Sequence, residues 1–148
     1  MKWINFLIKA KRHSYADGGS QAQTLADGCR ELVFVEGYLF YRDRYFGFDP
    51  FIGEEVLFFQ GKAVWAMNYW GGVSDMTVDA GVIYHFLQQA MQHVAPERPF
   101  RGPHKFVDGD YEYRDESQGS PDLFRGEEKI FYRGKQVYSL LYHGGTVS

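Results

Sequence analysis

Two Gly-Glu-Glu triplets, at residues 53–55 and 126–128, are the polar feature of this sequence with the clearest chemical potential. Successive side chains of a β-strand point to opposite faces of the sheet, so one glutamate of each pair is expected to face the interior. A buried carboxylate must be paired with a cation, hydrogen-bonded or protonated. Glu54 and Glu127 can therefore line a pocket, or the glutamates can flank a bulge and accept structural hydrogen bonds from backbone or tyrosine donors.

The pocket alternative predicts a ligand-binding cleft between two halves of the chain, lined by carboxylates and aromatic rings. Such a cleft suits a cationic or aromatic ligand. Arg101, in an irregular Pro-Phe-Arg-Gly-Pro connector, can bind an anion or tie this loop to the sheet, and His143 ends the last predicted strand. The predicted ligand-binding residues are Glu54, Trp65, Tyr69, Arg101, Glu127, Tyr138, Tyr142 and His143.

Other reactive residue types lack the spacing that catalysis or metal binding requires. The five histidines form no His-Glu-x-x-His pattern, and one cysteine cannot supply a zinc site of the usual kind. The sequence contains no Gly-x-Ser-x-Gly motif and no dinucleotide fingerprint. We therefore predict no catalytic residue, no metal and no cofactor, and an enzyme of unknown class is the least favoured function.

The sequence repeats itself. Residues 51–72 and 124–145 share 11 of 22 positions at an offset of 73, and Tyr41-Arg42-Asp43 returns as Tyr113-Arg114-Asp115. Similarity at a fixed offset indicates related structural units, although two copies are too few for a solenoid. We predict a single domain over residues 1–148, made of two duplicated halves, about 1–73 and 74–148, related by a pseudo-twofold axis.

Local patterns predict an α+β fold in which each half has one helix followed by antiparallel strands. The first helix is expected over residues 2–13 and ends at a turn over 15–20, which a polar loop follows. The second helix is expected to begin at a cap on Ser74 or Asp75 and to end before Pro96, with a buried apolar stripe of Val82, Ile83, Phe86, Leu87, Ala90, Met91 and Val94. Strands are predicted over residues 31–35, 38–45, 54–59, 62–70 and 111–116, and again in the second repeat segment.

Strand alternation assigns the side chains of the first repeat hairpin to two faces. With tight turns at Gln60-Gly61 and Arg133-Gly134, one face is predicted to hold Glu54, Val56, Phe58, Trp65, Met67 and Tyr69. The other face is predicted to hold Glu55, Leu57, Phe59, Val64, Ala66 and Asn68.

Composition limits the range of partners. A net charge of −3 argues against nucleic-acid binding by this chain itself and against binding to an anionic membrane. A single cysteine excludes an intrachain disulfide. The apolar stretch between Lys2 and Lys9 is too short and too polar for a secretory signal. We predict a cytoplasmic protein.

Several motifs together resemble an uncharacterised bacterial family, known as a domain of unknown function. They are Tyr41-Arg-Asp-Arg-Tyr-Phe-Gly47, Phe51-Ile-Gly-Glu-Glu-Val56, Gly61-Lys-Ala-Val-Trp-Ala-Met-Asn-Tyr69, Pro99-Phe-Arg-Gly-Pro103 and Tyr142-His-Gly-Gly145. Some members are fused to a helix-turn-helix regulator of the Xre type. The resemblance implies a sensor or partner domain and no catalytic residues. A small-molecule-binding sensor is thus the leading functional hypothesis, and a protein-interaction or homodimerisation module is the alternative.

Overall fold

The computed structural model describes residues 2–15 and 21–148. The predicted turn after the first helix lies outside these residues, apart from Tyr15. The two helices are α1 (Ile4–Tyr15) and α2 (Ala80–Met91). The strands are β1 (Gln23–Thr24), β2 (Arg30–Glu36), β3 (Leu39–Gly47), β4 (Phe51–Phe59), β5 (Lys62–Val73), β6 (Lys105–Asp108), β7 (Tyr111–Ser120), β8 (Leu123–Tyr132) and β9 (Lys135–Thr146).

All nine strands belong to one antiparallel sheet in the order β1-β2-β3-β4-β5-β9-β8-β7-β6. This confirms the predicted α+β fold with a largely antiparallel sheet and two helices. The short strands β1 and β6, which the sequence did not indicate, form the two edges. β5 and β9 pair at the centre and join the two halves of the chain.

The repeat segments form two hairpins with the same local irregularities. The β4–β5 hairpin has a bulge after Leu57, and the β8–β9 hairpin has a bulge after Ile130, 73 residues later. Both turns use a positive-φ residue followed by glycine, as the Gln60-Gly61 and Arg133-Gly134 pairs indicated. At the centre, Tyr69 pairs with its repeat counterpart Tyr142. This register agrees with a pseudo-twofold axis, and the duplication itself stays a prediction.

The predicted faces of the first hairpin are wrong. Glu55 pairs with Met67 and Leu57 pairs with Trp65, so the inner face contains the second glutamate of the triplet. The cause is the bulge at Val64. One extra residue in β5 shifts the pairing, so the β5 side chains beyond the bulge share a face with the other set of β4 side chains. The predicted faces had assumed an even register throughout the hairpin.

Helix α1 lies on β2 and β3 and also contacts α2. Its buried face includes Phe6, whose ring lies 5.7 Å from that of Phe34 on β2. The same face includes Lys11, which is fully buried. A buried lysine on an amphipathic helix requires a partner in the core, and this partner is a carboxylate of the sheet.

The cap of helix α2 lies four residues after Asp75, the nearer of the two predicted caps. Its cap is Asp79, which accepts hydrogen bonds from the backbone nitrogens of Gly81 (2.7 Å) and Val82 (3.2 Å). Asp75 instead closes a turn of its own with Thr77. The predicted apolar stripe is buried apart from Val82, which is 50% exposed, and Tyr84 is buried as well.

Two glycines allow the halves to approach closely at the β5–β9 seam. A Cβ atom on Gly144 would overlap the carbonyl oxygen of Ala66, and one on Gly71 would overlap Leu140 and the carbonyl oxygen of Ser139. One glycine of each repeated Gly-Gly pair, Gly71 and Gly144, therefore follows from strand packing at the junction of the two halves.

Candidate functional site

Four acidic side chains are buried on the face of the sheet that the helices cover. Asp43 on β3 and Glu55 on β4 lie in the first half, and Asp115 on β7 and Glu128 on β8 lie in the second. Asp43 is 7% exposed and the other three are 0% exposed. Burying four ionisable groups is costly unless each has partners. A carboxylate with all its partners serves the fold, whereas one that lacks partners has capacity left for a ligand.

Two glycines make room for the tyrosines beside these acids. The ring of Tyr69 crosses Gly53, and the ring of Tyr142 crosses Gly126, where any Cβ atom would collide with the phenol. The Gly-Glu-Glu triplets thereby acquire a physical explanation. The glycine accommodates a tyrosine from the next strand, the first glutamate points outward, and the second enters the core.

Glu128 is fully partnered. Arg101 donates to it from Nε (3.2 Å) and Nη2 (3.0 Å), and the hydroxyls of Tyr113 (2.5 Å) and Tyr138 (2.8 Å) donate to its two oxygens. Burial opposes the charge of Arg101, but Glu128 together with Tyr15 and Tyr138 favours that charge and holds the pKa of this guanidinium above its usual range. A bidentate pair with this geometry is a structural element of the core.

Asp115 has two kinds of partner. The hydroxyl of Tyr142 donates to both carboxylate oxygens (2.8 and 3.0 Å), and Nη1 of Arg98 lies 3.4 Å from Oδ2. Burial and the neighbouring Glu128 raise the pKa of Asp115 to about 7, against the opposing effect of Arg98.

Glu55 is the counterpart of Glu128 and has a lysine as its cation. Nζ of Lys11 lies 2.7 Å from Oε1 of Glu55, and the hydroxyl of Tyr41 donates to the same oxygen. Lys11 also donates to the carbonyl oxygen of Phe100 (2.7 Å), and burial lowers its pKa although Glu55 opposes that change. Among the described residues, no group hydrogen-bonds to Oε2 of Glu55.

Asp43 is the counterpart of Asp115. The hydroxyl of Tyr69 donates to its Oδ1 at 2.5 Å. Within residues 2–15 and 21–148, no lysine or arginine nitrogen comes within ion-pair distance of this carboxylate. Burial, followed by the nearby charge of Glu55, raises the pKa of Asp43 to about 7.

A cavity of about 380 Å³, the inner pocket, opens beside Asp43 between α1, α2 and the sheet. Its polar lining includes Asp43, Tyr69, Arg101 and Tyr15. The hydroxyl of Tyr15 is buried and has no hydrogen-bond partner among the described residues. The aromatic side chains around it are Tyr45, Phe48, Phe51 and Tyr84. Its size and its mixture of apolar walls with a few polar groups are typical of small-molecule sites.

A second and wider cavity, the outer cleft, lies on the opposite face of the sheet and measures about 1110 Å³. It includes Trp70, which is 53% exposed, beside Asn68 and Arg125. Four predicted ligand-binding residues line it, namely Tyr69, Glu127, Tyr142 and His143.

The remaining predicted site residues are divided between core and surface. Arg101 lines the inner pocket together with Tyr69, whereas Trp65 and Tyr138 are fully buried in the core and line neither cavity. Glu54 is exposed and lines neither cavity. The expectation that Glu54 and Glu127 are the inward carboxylates is wrong, because the bulges place their successors inside. Ligand binding by the predicted residues stays a prediction.

The sequence contained one signal for the buried aspartates that were not predicted. Tyr41-x-Asp43 recurs as Tyr113-x-Asp115, and residues two apart on a strand share a face, so each pair predicts an acid beside a tyrosine. Lys11 lies one turn after Leu7, on the apolar side of its helix. No spacing in the sequence indicated that Lys11 and Glu55 meet.

Residues 2–15 and 21–148 contain no group of three metal-ligating side chains placed to hold an ion. No helix within this part of the chain is long and apolar enough to cross a membrane.

Comparison with known proteins yields one match. The model of a domain of unknown function, DUF5680, matches residues 43–147. The match begins at Asp43 and therefore includes the four buried acids but not α1 with Lys11. No curated protein and no solved structure matched the chain.

Proposed function

The chain belongs to the DUF5680 family of unknown function, and from this premise we propose that it binds a small organic molecule in the inner pocket. The supporting observation is the hydroxyl of Tyr15, which is buried without a partner among the described residues and borders the same cavity as Asp43. Leaving a buried polar group unpaired costs about 1 to 3 kcal/mol, so a ligand that pairs with it recovers free energy on binding.

The contrast with Glu128 supports this choice of site. Glu128 has both oxygens occupied by tyrosine and arginine donors, so nothing is left for a ligand to bind. Around the inner pocket, hydrogen-bonding capacity remains on the Tyr15 hydroxyl, and aromatic walls can cover an apolar body.

A thermal-shift screen of the full chain against a metabolite library tests this function. A ligand present at 100 times its Kd should stabilise the protein by about 2.7 kcal/mol, and about 2–4 °C of melting temperature corresponds to each kcal/mol in a chain of this size. The Tyr15→Phe variant removes only the unpaired hydroxyl. We expect it to be at least as stable as the parent protein, because the unpaired hydroxyl is gone, and to respond less to the hits.

Two control variants identify the cavity. Tyr38 is 74% exposed, so Tyr38→Phe should respond to the hits as the parent does. His143→Ala changes the outer cleft alone and should also leave the response intact. A screen without hits would contradict the proposed function, and hits that His143→Ala abolishes would place binding in the outer cleft.

We further propose that ligand binding serves a sensing role in the cytoplasm, in association with a DNA-binding regulator. The support is the resemblance of the sequence motifs to domains that are sometimes fused to such regulators. The net charge of −3 favours action through a partner over DNA binding by this chain.

A second candidate function is homodimerisation through the outer face of the sheet. Exposed apolar side chains form a row across four neighbouring strands, where Phe46 pairs with Ile52, Ile52 with Trp70 and Trp70 with Leu141. Contiguous apolar surface of this kind is typical of interaction sites. For a dimer, sedimentation velocity should show a larger species at micromolar concentration, which Leu141→Ser removes. A monomer at all concentrations would contradict this function.

A further inference from the structure

The two halves differ in how their equivalent aspartates are partnered. Asp115 has the hydroxyl of Tyr142 and the guanidinium of Arg98, whereas among the described residues Asp43 has only the hydroxyl of Tyr69. Both carboxylates lie on the inner face of strands at equivalent positions of the repeat. The same arrangement is thus complete in one half and lacks a cation in the other.

The two buried cations of the described residues, Lys11 and Arg101, have other partners. Lys11 is engaged by Glu55 and by the carbonyl oxygen of Phe100, and Arg101 donates to Glu128 through Nε and Nη2. Arg30 lines the inner pocket but is exposed, and no ion pair joins it to Asp43 in the part of the chain that the structure describes. Residues 16–20, Ala-Asp-Gly-Gly-Ser, contain no lysine or arginine.

The walls of the inner pocket also favour positive charge. The rings of Phe48 and Phe51 meet Tyr84 nearly edge-on, at 5.2 and 5.6 Å between centroids. A cation near the face of an aromatic ring is attracted by its quadrupole, and burial strengthens this attraction. An anion in this pocket would instead be repelled by the carboxylates of Asp43 and Glu55. The guanidinium of Arg101 would not offset this repulsion, because Glu128 already neutralises its charge.

We propose that the inner pocket binds an organic cation, a protonated amine that occupies at Asp43 the place that Arg98 occupies at Asp115. An ammonium group has three donors, of which one pairs with Asp43 and another with the hydroxyl of Tyr15. The apolar part of the ligand packs against the aromatic walls. This inference rests on the proposed function, since it specifies the ligand class of the same pocket.

Three probes matched in shape and different in charge test the ligand class. Isothermal titration of the full chain with 2-phenylethylamine, 2-phenylethanol and 3-phenylpropanoate, at pH 8, compares a cation, a neutral molecule and an anion. We expect the amine to bind at least ten times more tightly than the alcohol, and the carboxylate not to bind. An amine that binds no more tightly than the alcohol, or not at all, overturns the inference.

Two variants assign the effect to one carboxylate. Asp43→Asn keeps the shape of the side chain and should weaken amine binding at least tenfold, while alcohol binding stays the same. Asp115→Asn is the matched control, since Asp115 borders neither the inner pocket nor its ligand, and should bind the amine as the parent does. Equal loss in both variants, or no loss in Asp43→Asn, would also overturn the inference. Library hits of another charge class would leave the proposed function standing while refuting the amine.

Discussion

We expect Arg101→Met to lower the free energy of unfolding by about 3 to 5 kcal/mol, the usual cost of removing one partner from a buried ion pair. Glu128 is fully buried, and without Arg101 its charge would be supported only by the hydroxyls of Tyr113 and Tyr138. Methionine matches the length of the arginine stem, so the loss reflects charge and hydrogen bonds more than volume. Urea denaturation at neutral pH measures the change.

A double variant and a surface control separate this cause from others. Arg101→Met combined with Glu128→Gln removes both charges and should recover a large part of the lost stability. Arg133→Met breaks an ion pair with Asp110 in which both side chains are more than half exposed, so it should cost far less stability than Arg101→Met. Equal costs for Arg101→Met and Arg133→Met would show that the buried pair does not stabilise the fold.

The second large effect is a loss of stability as pH rises. Burial raises the pKa of Asp43 and of Asp115 from 3.8 to about 7. Between these values the folded protein binds more protons than the unfolded chain. The stability that the two aspartates contribute is therefore complete below pH 3.8, and it is lost progressively until pH passes about 7. From pH 5 to pH 7.5, each aspartate should reduce the free energy of unfolding by about 2 to 3 kcal/mol.

Asparagine variants isolate this effect from other titrating groups. Asp43→Asn and Asp115→Asn cannot ionise at this position, so their stability relative to the parent should rise by about 2 to 3 kcal/mol between pH 5 and pH 7.5. The measurement is a series of urea unfolding curves across pH. A constant difference for Asp43→Asn would show that Asp43 is charged at little cost in the folded state.

Arg101→Met and Asp43→Asn change different parts of one buried network. The second-half residues Arg101 and Glu128 complete each other's hydrogen bonds, and their substitution tests stability. The first-half residue Asp43 lies beside a cavity and has a single tyrosine partner among the described residues, so its substitution tests both titration and ligand binding. Because the positions are equivalent in the repeat, each half is the natural control for the other.

Local chemistry in the sequence determined most of the secondary structure. The Gln60-Gly61 and Arg133-Gly134 pairs predicted both hairpin turns, because tight turns need positive φ angles that few residue pairs tolerate. The periodic apolar residues of α2 predicted its buried face, since a helix repeats every 3.6 residues. The repeat indicated two similar hairpins. All these signals act over a few neighbouring residues, which is why a sequence displays them.

Only the tertiary structure decided which polar residues enter the core. One bulged residue per hairpin placed Glu55 and Glu128 inside and left Glu54 and Glu127 outside, and no side-chain pattern announces a bulge. Lys11 meets Glu55 across 44 residues, a contact that arises from the docking of α1 on the sheet. The lack of an ion pair at Asp43 among the described residues is likewise a product of packing, because the repeat specifies both aspartates alike while the chain brings Arg98 to only one of them.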